Sequence, residues 1–139
     1  MRWFDKQYRW TRIAMVFVGL AFAVLYPRAL LGNDPGWMWN TPQRNLPFEH
    51  MLIAMYFVHG LFLIWGARDP IRYLPLIDFT IVANIVHGTV MLSDATRLGL
   101  TANLQLGGDV PGTFIGPLLL LLTHPRMFYL DRFFGRAPG

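Results

Sequence analysis

The chain has no cysteine and only one lysine, and charge is scarce: 14% of its 139 residues are Asp, Glu, Lys or Arg. Soluble domains carry roughly 25%, so the polar coat that a water-soluble sphere of this length needs is missing. Without cysteine there are no disulfides, no thiolate metal ligands and no thiol nucleophile. GxSxG, a Gly-rich phosphate loop, HExxH and HxxxH are absent too, and with them the usual hydrolase, nucleotide and zinc-protease signatures. An independent enzyme is not expected. The net charge of +4 sits in short clusters between apolar runs, not in a stripe. Nucleic acid is therefore not an expected partner, and basic flanks of membrane helices account for the charge.

What fills the chain is apolar: 54% of it is hydrophobic. Four runs stand out, "RIAMVFVGLAFAVLYPRALL" (12–31), "LPFEHMLIAMYFVHGLFLIWG" (46–66), "YLPLIDFTIVANIVHGTVML" (73–92) and "PGTFIGPLLLLL" onward (111–124). A helix crosses the hydrocarbon core with ~20 apolar residues, and the first three runs meet that length. Pro117 predicts a kink in the fourth. The first run is too long for a signal-peptide core and is followed by no A-x-A-like site, so it is read as a retained helix. The expectation is one integral membrane domain over 1–139, an all-α four-helix transmembrane bundle.

Nine Lys and Arg residues flank one side of this scheme and three the other, which predicts both termini in the cytoplasm. The short link "ARDPIR" predicts an antiparallel hairpin of helices two and three. In the longer first outer loop, Trp37 and Trp39 suit the interfacial belt. The second outer loop is expected to lie along the membrane surface, and "HPRMFYLDRFFGR" to form an interfacial helix. Asp78 reads as a cap in the first turn of its helix, His124 as an exposed imidazole, and Gly19, Gly60, Gly88 and Gly116 as points of close helix contact.

The polar residues inside the runs are few and ordered. With successive side chains about 100° apart, Glu49, Tyr56 and His59 share one face of the second helix, and Thr80, Asn84, His87, Met91 and Asp94 one face of the third. Ionisable groups in a bilayer face the bundle interior or a wet cavity. At a rise of about 1.5 Å per residue, His87 lies ~9 Å and His59 ~18 Å from the outer end, so the stripe descends halfway. Three readings stand. His59 and His87, each followed by glycine, can be axial ligands to a haem or chlorophyll-type pigment, the missing side chain admitting a flat ring. Glu49, His50, His87 and Met91 can form a metal site, with imidazole and thioether suiting copper. Or Tyr56, His59, Thr80, Asn84 and His87 form a polar packing face, with His59 bonding Thr80 or Asn84.

The stretches "VGLAFAVLYP", "MLIAMYFVHGLFLIWGARDP" and "LIDFTIVANIVHGTVM" resemble a family of small, uncharacterised bacterial four-helix membrane proteins, a domain of unknown function. The resemblance covers about 12–95 and rests on Tyr26-Pro27, Tyr56, Gly60, the turn Ala67 to Pro70, Leu76 to Thr80, His87 and Val90-Met91. It implies a four-helix fold without an assigned activity, and favours His87 over His59 as the shared polar group. The functional expectation is a non-enzymatic accessory or structural subunit, in contact with lipid and with a larger membrane complex or copies of itself. A haem-, pigment- or metal-binding redox protein is the first alternative and a small transporter or proton relay the second.

Overall fold

The computed structural model describes residues 8–32, 36, 37, 39, 41 and 45–125. Within them the chain is all-helical: α1 (Arg9–Leu20), a π-helical turn (Ala21–Leu25), α2 (Tyr26–Leu31), α3 (Leu46–Gly66), α4 (Leu74–Leu98), α5 (Thr101–Leu104) and α6 (Asp109–Leu122). Four stretches are long and apolar enough to cross a membrane: Arg9–Arg28, Leu46–Gly66, Leu74–Leu98 and Thr101–Leu122. The protein is a multi-pass membrane protein. Large side chains such as Phe17, Leu20, Val24 and Val82 are exposed on the outside of the bundle, where in a bilayer an apolar surface carries no penalty.

Local chemistry sets the helix limits. The side chain of Asn45 accepts from the backbone N–H of Phe48 at 3.2 Å and caps α3, with Pro47 in the first turn, where its missing N–H costs nothing. Gly99, at φ 67°, ends α4 in the left-handed conformation, and the N–H of Leu100 returns to the Ala95 carbonyl at 2.9 Å. Pro27 cannot donate to the turn before it, and α1 widens there. The Tyr26 N–H reaches back five residues to Ala21, and Pro27 opens α2.

Packing partners follow the glycines. α1 and α3 meet where Gly19 faces Gly60. A Cβ on Gly60 would strike the Gly19 carbonyl oxygen and lie 2.8 Å from the Ala23 nitrogen. α4 and α6 meet at Gly88, where a Cβ would lie 2.6 Å from Thr113 Oγ1 and 2.8 Å from Phe114 Cζ. Gly116 of α6 receives Val18 of α1, a Cβ there lying 3.3 Å from it. The order in space is thus α3 on α1, α1 on α6 and α6 on α4, around Met15, Val18, Leu63, Ile77 and Leu120. α3 and α4 share a short link but touch sparsely along their length. Bulky side chains, not glycines, face each other there.

Three expectations are corrected. His124 is buried, and its Nε2 lies 2.8 Å from Asp78 Oδ1, so the end of α6 is tied to the start of α4. Asp78 is thus a tertiary partner, and no side chain caps α4. Thr11 also donates to the Thr123 carbonyl, joining α1 to the same place. Trp37 and Trp39, both half-buried, bond to the far side of the second long connection: Trp37 Nε1 donates to the Gly107 carbonyl at 3.1 Å and Trp39 Nε1 to Asp109 Oδ2 at 2.6 Å. The second long connection does not spread over the membrane, because α4 runs on to Leu98 and α5 packs against α4 and α6. The basic aromatic tail from 126, the first seven residues and Arg44 lie outside the described residues.

Candidate functional site

The sparse seam between α3 and α4 is a cleft of about 690 Å³, walled by apolar side chains that include Leu52, Phe62, Leu76 and Phe79. Tyr56, His59, Asn84 and His87 also line it. Each histidine precedes a glycine that packs against another helix, and the step of one residue turns the imidazole away from that contact. The room left by Gly60 is filled by α1 and that left by Gly88 by α6. A flat ring would therefore have to use the cleft itself.

His59 Nε2 and Thr80 Oγ1 are 2.8 Å apart, and the Thr80 hydroxyl gives its one hydrogen to the Leu76 carbonyl at 2.7 Å. The Thr80 oxygen then accepts, so His59 donates from Nε2. Asn84 donates from Nδ2 to the Thr80 carbonyl at 2.8 Å, while its Oδ1 is buried with no partner among the described residues. Such a carbonyl in an apolar setting costs roughly 1–3 kcal/mol, which marks it as an acceptor available to an incoming donor.

Behind the polar face stands an aromatic cluster that sequence reading missed. Phe22 meets Tyr56 at 4.9 Å and His59 at 5.4 Å between ring centroids. Tyr26 stacks on Tyr56 at 4.8 Å and receives Trp37 edge-on at 4.9 Å. Tyr56 and His87 lie 5.9 Å apart. The widened turn before Pro27 lies between Phe22 and Tyr26, both buried at this point. The Tyr-Pro pair was the one available signal.

Toward the end bearing the long loops, the cleft passes into a vestibule of about 520 Å³, the two sharing Leu52, Tyr56 and His87. Glu49, His87 and Met91 line it together, whereas His50 borders a separate groove with Pro27 and Phe57. Three of the four predicted metal ligands thus share a space and the fourth does not. Among the described residues no three His, Asp or Glu side chains converge tightly enough to hold a metal ion. Asp109, which no sequence signal singled out, closes the vestibule floor. It is 4% exposed at the start of α6, with Trp39 and Asn103 donating to its two oxygens at 2.6 and 3.1 Å.

Residues 5–124 match the model of a family of unknown function, DUF6632, and the chain belongs to that family. No curated protein and no solved structure matches it.

Proposed function

We propose that this protein is a non-enzymatic accessory subunit of a larger membrane complex, docked through the open seam between α3 and α4. The observation that carries the reading is the one-sided packing of α3. Only 11% of its apolar window is buried, against 33–39% in the other three spans. The seam beside it exposes His59 and His87 to an apolar cleft and leaves the Asn84 acceptor unpaired. Between helices in lipid, van der Waals fit and interhelical hydrogen bonds drive association. A partner helix with a donor near Asn84 would supply both. In this reading the basic flanks favour cytoplasmic termini, and the membrane is taken to be a bacterial inner membrane.

Blue-native electrophoresis of membranes solubilised in mild detergent tests this. Co-migration with a complex well above 16 kDa, lost on Asn84→Leu, is expected. A lone small species in every mild detergent tried would sink the proposal.

A second reading rests on both imidazoles bordering one cleft: a haem or pigment held there by one axial histidine. Its test is the absorption spectrum of the purified protein, and a colourless sample ends it.

A further inference from the structure

The cleft between α3 and α4 has the size of a small-molecule site, about 690 Å³, where such sites span roughly 300–1,000 Å³. No Asp, Glu, Lys or Arg lines it. Phe62 and Phe79, one from each helix, line it and are still more than half exposed, so the cleft opens outward between them. Its inner face is polar. Asn84 is 2% exposed, and the bond from its Nδ2 to the Thr80 carbonyl fixes which end of the amide is which. The unpaired atom is therefore the acceptor Oδ1. His59 donates from Nε2 to the same threonine, and in the neutral ring Nδ1 is then an acceptor as well. The Thr80 hydroxyl has already given its hydrogen to Leu76. No described residue hydrogen-bonds to His59 Nδ1, to the His87 ring or to the Tyr56 hydroxyl.

Each feature selects among ligands. Apolar walls without a charged group would strand an ionic head, so the ligand is uncharged. Two acceptors tied to one threonine call for a hydrogen-bond donor and disfavour a bare carbonyl. Phe62, Phe79 and Tyr56 offer ring edges and faces, which pack best against another ring. A phenol is both a ring and a stronger donor than an aliphatic alcohol. We propose that the cleft binds a phenol-headed lipid, its hydroxyl on Asn84 Oδ1, its ring against Phe62 and Phe79, and its tail leaving between them into the bilayer. A hydroquinone and a redox-inert alkylphenol share this head chemistry, whereas a quinone lacks the donor. In the subunit reading a partner's donor would meet the same Asn84 atom. The phenol meets it in the isolated chain, so binding and docking can fail separately.

The test uses the purified full chain in phosphatidylcholine nanodiscs, each variant first confirmed as folded by thermal melting. The readout is the probe retained by loaded discs in excess of empty ones. Saturable binding of para-dodecylphenol is expected, with its methyl ether, which keeps the ring and loses the donor, at least about tenfold weaker. Dodecanol, a hydroxyl without a ring, should also bind more weakly than the phenol. Asn84→Leu should lower the phenol to the level of its ether and leave the ether unchanged. Ala83→Leu enlarges a half-buried lining residue and should weaken both probes, which keeps the site testable if the Asn84 variant does not fold. Without oxygen, decylhydroquinone should bind more tightly than decylbenzoquinone. A hydroquinone tighter than the alkylphenol assigns the ligand to the redox lipids of the membrane, and one no tighter assigns it to redox-inert phenols. Ether or dodecanol binding as tight as that of the phenol, quinone binding as tight as that of the hydroquinone, no saturable excess over empty discs, or indifference of a folded Asn84→Leu chain overturns the proposal.

Discussion

At the scale of single residues, one hydroxyl organises the polar face. Thr80 gives its hydrogen to Leu76 and takes one from His59, so the imidazole is held in place without a charged partner. Thr80→Val keeps the shape and removes the acceptor. It should destabilise by about 1 kcal/mol, near the upper part of the range for hydrogen bonds between membrane helices. The double variant His59→Phe with Thr80→Val should recover most of that loss, because neither polar partner is then left alone. Unfolding in dodecyl sulfate mixed micelles gives both numbers, and strict additivity would show that the 2.8 Å contact carries no coupling. The residues of this face were legible in the sequence, since each polar side chain lies on a period near 3.6 within an apolar run. Tyr26, Trp37 and Asp109 were not. Their side chains meet across 70 or more positions, or sit beside a proline-widened turn, and no local pattern reports that.

At the scale of elements, small residues decide which helices touch. Gly60 presents its backbone to Gly19 and Ala23, whereas Gly88 faces the side chains of Thr113 and Phe114. Backbone cannot retreat, but the far end of a phenylalanine ring can. Gly60→Ala should therefore cost more than Gly88→Ala, with the first near the top of the ~1–3 kcal/mol range for overpacking. Leu61→Ala, on a side chain 47% exposed, should change little. The same micelle unfolding midpoints rank the three, and an inverted order would remove the backbone contact as the organiser of α1 on α3. The glycines were visible in the sequence as contact points, but their partners were not. The link of residues 67–73 suggested that α3 would close on α4. Instead Gly60 turns α3 toward α1 and Gly88 turns α4 toward α6, and the imidazoles one residue earlier are left at the seam.

At the scale of the whole molecule, the two ends are built differently. The end with the short link is closed by His124 on Asp78 and by Thr11 on the Thr123 carbonyl. The other is closed by tryptophan N–H groups on Gly107 and Asp109. If the basic flanks set the orientation, the first end faces the cytoplasm. The chain has no native thiol, so single cysteines report sidedness cleanly. Thr96→Cys, exposed near the end of α4, should react with a membrane-impermeant maleimide on intact cells. Arg68→Cys, exposed in the short link, should react only after permeabilisation. The reverse pattern would place the vestibule on the cytoplasmic side.

The sequence by itself determined that the chain carries four helices long and apolar enough to cross a bilayer, though not how far the third runs on or where the fourth begins. The physical reason is that hydrocarbon admits only helices with satisfied backbones and apolar surfaces, a demand written locally in run length, composition and caps. Which crossings lie side by side, and which distant groups the loop side chains bond, was decided only by the tertiary structure. Lipid is as apolar as leucine, so burial gives no preference among neighbours. The choice passes to close backbone approach and to hydrogen bonds such as Trp39 to Asp109, whose partners lie far apart along the chain.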